Sequence, residues 1–162
     1  MAEYEAAIAG DDALSQQLGV PVAAGWLDFR DALDFWLKLV RADAGLLPWT
    51  LYGYFDRTSG EMLGGGGFKG RPTGAAGTVE IGYGLAPAAR GRGLATEAAA
   101  ALATWAYDQP GVGLVMAHTL PTENASTGVL RRAGFAHVGE EVDPDDGLVW
   151  RWEIGRPELA AV

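Results

Sequence analysis

The chain has 162 residues, 49% of them hydrophobic and 20% charged, which fits one soluble domain around one core. Twelve basic against 21 acidic residues leave a net charge of −9, which argues against a nucleic-acid binder and suits a cationic partner such as an amine. With no cysteine there is no disulfide, thiolate nucleophile or thiolate metal site, and two distant histidines, His118 and His137, do not make a metal site.

The N-terminus lacks a basic start and a long apolar run, so it does not read as a secretory signal. No run is long enough for a bilayer, so no membrane role is expected and a cytoplasmic location is the default. Only the two ends are candidates for disorder. A short helix is expected over Asp12 to Leu18, ended by Gly19. A second helix is expected over Asp31 to Ala42, with Leu33, Trp36, Leu37 and Val40 on one apolar stripe. "DAGLLPW" reads as a loop.

"TLYGYFD" and "EMLGGGGFKG" form a hairpin across "RTSG". Gly64 to Gly67 read as a bulge, as a place where something approaches the backbone closely, or as a flexible stretch. "TVEIGYGL" (78–85) is a strand, followed by a tight loop (86–95) and a helix (96–107). The core of "GVGLVMAHTL" (114–119) is a central strand, "NASTGVLRRAG" a short helix, and "FAHVGEEV" and "LVWRWEI" two last strands. The pattern predicts an α/β fold of mixed α+β character, a mostly antiparallel twisted sheet of about six to seven strands flanked by about four helices.

The loop "ARGRGLAT" carries the chemistry. The first turn of a helix has unpaired N–H groups and a positive dipole end, which favour an anion of the phosphate type. Gly91 and Gly93 let the backbone approach that anion, and Arg90 and Arg92 add charge-assisted contacts. No P-loop lysine follows, and "GRGLAT" has only two glycines of a dinucleotide-binding loop. Read alone, the loop either binds an anion or simply packs the helix on the sheet.

The segment "VEIGYGLAPAARGRGLATEA" resembles the acetyl-CoA-binding segment of the GNAT superfamily of N-acetyltransferases, whose [R/Q]-x-x-G-x-[G/A] is met by Arg90, Gly93 and Ala95. "ENASTGVLRRAGF" resembles the family's second signature. Residues 50 to 154 carry the likeness. The N-terminal third, with "LGVPVAAGW" and "FWLKLVRAD", looks like the branch of ribosomal-protein alanine acetyltransferases.

The resemblance implies a single GNAT domain over 1–162, with an acceptor-side helical region at 1–49 and an acetyl-CoA-binding sheet core at 50–154. It implies that Gly91, Arg92, Gly93, Leu94, Ala95 and Thr96 hold the CoA pyrophosphate. The strand end at Tyr83 to Leu85 would pair with the pantetheine arm, and Asn124 would lie near it. This chain reads N-x-S where the family often reads N-x-x-S, with Glu123 at the usual Asn position.

Direct acetyl transfer to a primary amine then needs a proton acceptor and a proton donor. Glu80 is the candidate base; otherwise it is a structural carboxylate, with a water chain in its place. Ser126 is the candidate donor to the thiolate; otherwise it caps its helix. Many relatives use a tyrosine where this chain has Leu130.

His118 ends the central strand and either contacts substrate or is structural; His137 reads as structural or surface. Trp36 and Trp105 read as core, Trp150 and Trp152 as a buried pair, and Trp26 and Trp49 as residues that line the acceptor site or pack. The acceptor would be a small-molecule amine or a protein N-terminus, and relatives often form homodimers. The competing readings are a non-catalytic acyl-CoA-binding module and a nucleotide-binding protein.

Overall fold

Two short helices, α1 (Ala2–Ala9) and α2 (Asp11–Leu18), open the chain. In the computed structural model, which describes residues 1–27 and 31–156, three more helices follow: α3 (Asp31–Ala42), α4 (Leu94–Tyr107) and α5 (Ala125–Arg132). The strands are β1 (Leu51–Phe55), β2 (Met62–Phe68), β3 (Thr78–Leu85), β4 (Leu114–Thr119), β5 (Ala136–Asp143) and β6 (Gly147–Ile154). Their order is β1-β2-β3-β4-β6-β5. The pairs β1–β2, β4–β6 and β5–β6 are antiparallel and β3–β4 is parallel.

The expected mixed sheet is therefore present with six strands, and β3 and β4 have the expected bounds. The helix count is higher than the expected four. α1 was not foreseen; Tyr4 and Ala7, three apart, bury one side of it. "DAGLLPW" is not an open loop but a 3₁₀ helix over Ala44–Trp49, capped by the Asp43 carboxylate on the Gly45 amide at 2.9 Å. Of the two ends expected to be disordered, the first is α1; residues 157–162 lie outside the described residues.

The chain forms two compact units. The first comprises Met1–Phe68 with Tyr83–Ala95. Its core gathers Tyr4, Leu14, Trp26, Leu33, Leu37, Met62, Leu63 and Leu85. Trp26 is 1% exposed and donates its Nε1–H to Asp11 at 3.1 Å, so a loop tryptophan is a core anchor.

The glycine run belongs to this core. Every residue of β2 is buried, which removes the flexible reading. A Cβ on Gly67 would lie 1.8 Å from the Thr50 carbonyl oxygen, and one on Gly64 would lie 2.3 Å from that of Gly84. What approaches the backbone here is the protein's own chain. Gly64 to Gly67 are not the bulge: they pair residue by residue with Tyr54 to Leu51, and the register shifts only beyond them, where Phe55 pairs with Met62 and Leu63 is skipped.

The second unit comprises Lys69–Gly82 and the chain from Thr96 on. Trp152 is fully buried and donates to Thr119 Oγ1 at 3.0 Å. Trp150 is only half-buried, so the expected buried pair is one buried and one partly exposed ring. The exposed His137 ring lies against both, with centroids 4.7 and 5.1 Å away. Trp105, expected in the core, is half-buried, and Trp36 of the first unit is half-buried but packs against that unit's core.

Candidate active site

Strand β3 leads into the cofactor loop. Its parallel ladder with β4 runs only from Thr78/Leu114 to Glu80/Met116. Beyond that pair β3 continues through Ile81, Gly82, Tyr83, Gly84 and Leu85, past the end of the ladder. A 3₁₀ turn, Pro87–Ala89, reverses the chain, and Arg90 donates its Nε–H to the Leu85 carbonyl at 3.0 Å, tying the loop back to the strand.

Gly91 and Gly93 have φ of +76° and +80°, values that residues with a Cβ rarely adopt. A Cβ on either would meet nothing within 4 Å, so the loop surface above them is open. Helix α4 begins immediately at Leu94, and the free amides of its first turn follow the open glycines. The Thr96 hydroxyl in that turn is buried with no hydrogen-bond partner. Arg92, expected on the anion, reaches the Asp56 carboxylate at 3.4 Å, a long and weak contact. Asp56 is held below the usual carboxylate range by the Ser59 and Thr58 amides.

The second signature also folds as a helix start, with one correction. The cap of α5 is Asn124, not Ser126: Asn124 Oδ1 accepts from the Thr127 amide at 3.1 Å, and Thr127 Oγ1 accepts from the Asn124 amide at 3.1 Å. Asn124 Nδ2 donates to the Thr122 carbonyl at 3.0 Å, so its side chain is engaged at both ends. Ser126 stands at the second helical position, half-buried. Glu123 accepts two bonds from Arg131, at 2.7 and 2.5 Å, and one from Thr127, which bring its carboxyl down to about 2. Leu130 is fully buried.

Glu80 lies in a row of charged side chains that crosses four elements of the second unit. Its Oε1 takes Lys69 Nζ at 2.5 Å and His118 Nδ1 at 3.1 Å. His118 Nε2 lies 2.7 Å from Glu141 Oε1. Glu141 Oε2 accepts from Arg151 at 2.9 Å, and Arg151 Nε donates to Glu153 at 2.7 Å. Arg151 is the main cause that holds the Glu141 carboxyl below its ordinary range; burial opposes it and His118 adds to it. The side chains of His118 and Glu80 are 11% and 19% exposed, so the centre of the row is sheltered while Glu141, at 37%, meets solvent. In the sequence Glu80 and His118 stand out separately and Lys69, Glu141 and Arg151 do not, because only strand register brings them together.

In the first unit, a cavity of about 500 Å³ is lined mostly by apolar residues, among them Tyr4, Leu14, Trp26, Leu51, Phe55 and Met62. Trp26 borders it, whereas Trp49 packs edge-on against Phe68 at 5.4 Å and is not among its walls. No residue of the cofactor loop lines it. The Tyr54 hydroxyl is buried without a partner, and burial pushes its pKa up.

The acetyltransferase (GNAT) domain family matches residues 2–136. The chain belongs to this family. Solved structures of the same fold include an aminoglycoside acetyltransferase, AAC(6')-Ib, in complex with coenzyme A (20% identity, 96% of this chain and 92% of that one, TM-score 0.65). Another is a GNAT-family protein from Bordetella pertussis (26% identity, 94% and 90%, TM-score 0.60). A third is the ribosomal-protein-S5-alanine acetyltransferase of Vibrio fischeri (15% identity, 82% and 73%, TM-score 0.61). As a member the chain is an acetyltransferase domain, and no helix among its described residues is long and apolar enough to cross a membrane.

Proposed function

We propose that this protein transfers an acetyl group from acetyl-CoA directly to a primary amine. The observation that carries the reading is the open, positive-φ glycine pair in front of α4, with an unpartnered buried hydroxyl in the first helical turn. Such a loop suits a pyrophosphate: amides and helix dipole aim at one point, and no Cβ stands in the way. The backbone of Tyr83 to Leu85 would pair with the pantetheine arm as an added strand.

When bound, acetyl-CoA supplies an activated thioester carbonyl. The protein's residues align the reactants and move protons. A primary amine, with a pKa of about 10 like lysine, reaches neutral solution mostly protonated, so a base is needed. Glu80 takes that role. It precedes the cofactor-pairing segment on the same strand, and its carboxyl group contacts Lys69 and His118. Ser126 gives a proton to the departing thiolate. The fully buried Leu130 carries no such group, and with no cysteine the acetyl group passes in one step within a ternary complex.

The acceptor reading is a protein N-terminus or a small amine. The N-terminal third supports the ribosomal-protein alanine acetyltransferase branch through its sequence resemblance, and the aminoglycoside acetyltransferase supports small amines. A thiol-release screen with acetyl-CoA, run over alanine-terminated peptides, aminoglycosides, polyamines and amino acids, tests both. Turnover with one class is the expected result; acetyl-CoA binding by calorimetry with no turnover on any amine would instead indicate a binding module.

A further inference from the structure

We propose that the outer edge of β1 docks an extended peptide segment with a large apolar residue at its centre and no acidic flank. The segment adds as a strand beside Gly53 and places its central side chain in the apolar cavity. All of this lies within the first unit and does not rest on the acetyl-transfer reading.

Strand β1 ends the sheet. Its even-numbered neighbours face β2: the Thr50 carbonyl accepts from the Phe68 amide at 3.0 Å, and the Asp56 amide donates to the Glu61 carbonyl at 2.8 Å. Backbone direction alternates along an antiparallel strand, so Leu51, Gly53 and Phe55 turn their N–H and C=O groups outward. The Leu51 amide shows that direction, because it donates to the Tyr4 hydroxyl of α1 at 3.2 Å. Among the described residues nothing bonds the outward groups of Gly53 or Phe55. The sequence does not protect this edge either. "LYGYF" holds no charge and no proline, the usual devices against strand addition.

Side chains alternate too, which puts Leu51, Gly53 and Phe55 on one face. All three line the cavity of about 500 Å³, with Met62, Leu14 and Leu18 across from them. A strand laid on this edge sets one residue opposite Gly53 with its side chain on that same face. Glycine leaves room for it. The exposed Phe55 ring folds back over Gly53, 2.9 Å from where a Cβ would stand, so the incoming side chain packs on that ring. Apolar cavities of about 150 Å³ already hold benzene, so this one takes a leucine or phenylalanine side chain.

These features choose among occupants. The outward amides and carbonyls call for a peptide backbone rather than an isolated apolar molecule. A second copy paired about Gly53 would set glycine against glycine and leave the cavity unfilled. Helices α1 and α2, which wall the cavity, carry Glu3, Glu5, Asp11 and Asp12 and no lysine or arginine. Even with Glu5 on Arg41 and Glu3 on the Met1 amino group, that wall stays negative and repels acidic flanks.

The first test uses the full-length protein alone. By NMR hydrogen exchange, the Gly53 and Phe55 amides should exchange fast and those of Tyr52 and Tyr54 slowly. A protected Gly53 amide in dilute protein overturns the proposal, and so does protection that grows with protein concentration, the mark of a second copy. The second test titrates ¹⁵N-labelled protein with acetyl-Lys-Thr-Leu-Thr-Lys-amide, which should shift the Gly53 and Phe55 amides and slow their exchange. Glycine in place of the central leucine should weaken binding about tenfold or more. Methylating that leucine's backbone nitrogen, which donates to the Gly53 carbonyl in an antiparallel pair, should weaken it about as much. Glutamates in place of the two lysines should weaken it about threefold or more. L18W and L47W each put an indole into the cavity and should abolish binding with the fold intact by circular dichroism. No shift at these amides, equal affinity for any of the three altered peptides, or binding retained by a folded tryptophan variant overturns the proposal.

Discussion

Gly64–Gly67 in β2 and Gly91/Gly93 before α4 are the two glycine clusters of the chain's first unit, and they need glycine for opposite reasons. In β2 the backbone is extended and buried, and a side chain is excluded because Thr50 and Gly84 already occupy the space. Before α4 the space is empty, and a side chain is excluded because the backbone turns left-handed. One cluster is closed by the fold; the other is held open by it. An empty site with strained geometry is what a binding loop requires, while a filled one is only packing.

Substitutions can break or sharpen this contrast. The largest effect is expected from Gly67→Ala. A methyl group 1.8 Å from a backbone oxygen must displace the β1–β2 pairing, at a cost of about 3 kcal/mol or more in urea unfolding. A near-wild-type midpoint would mean β2 is not closed. Glu80→Gln should come next, lowering kcat about a hundredfold with the fold intact by circular dichroism. Gly93→Val should weaken acetyl-CoA binding by about tenfold or more in calorimetry, while costing only about 1 to 2 kcal/mol of stability from its positive φ. If affinity holds, the loop is not the pyrophosphate site.

Gly82→Ala sharpens the contrast further. Its φ is not left-handed and a Cβ there meets nothing, so stability should change by less than about 0.5 kcal/mol. The smallest effect concerns Glu123. Its folded carboxyl, at about 2, lies below the ordinary 4.5, so the stability it contributes is present above about pH 4.5 and is lost as pH falls toward 2. Glu123→Gln should remove that contribution, lowering the melting temperature slightly above about pH 4.5 and converging with the wild type as pH falls toward 2, which flattens that part of a thermal-melt series against pH.

The strands and the cofactor loop were legible in the sequence because their signals are local. "TVEIGYGL" and "LVMAHT" are β-rich, each preceded by a glycine and followed within two residues by a proline, and "RGRGLAT" marks its own helix start. α1 was missed because an alanine-rich start with Glu3 and Glu5 has little apolar patterning beyond Tyr4 and Ala7. The α5 cap was misplaced because Asn124 and Ser126 are both good caps two residues apart, and only the reciprocal bond to Thr127 chooses between them. The charged row around Glu80 was not legible. Lys69, Glu80, His118, Glu141 and Arg151 span 83 positions and meet only once the register pairs His118 with Arg151 and Glu80 with Met116.

Strand β3 carries the candidate base at Glu80 and the candidate cofactor-pairing segment from Tyr83 to Leu85 on one continuous stretch. Because side chains alternate along a strand, inserting or deleting one residue between them would turn one part to the opposite face relative to the other. The strand acts as a ruler. On the roles proposed for Glu80 and for Tyr83 to Leu85, a change of a single residue in spacing would uncouple grip from chemistry.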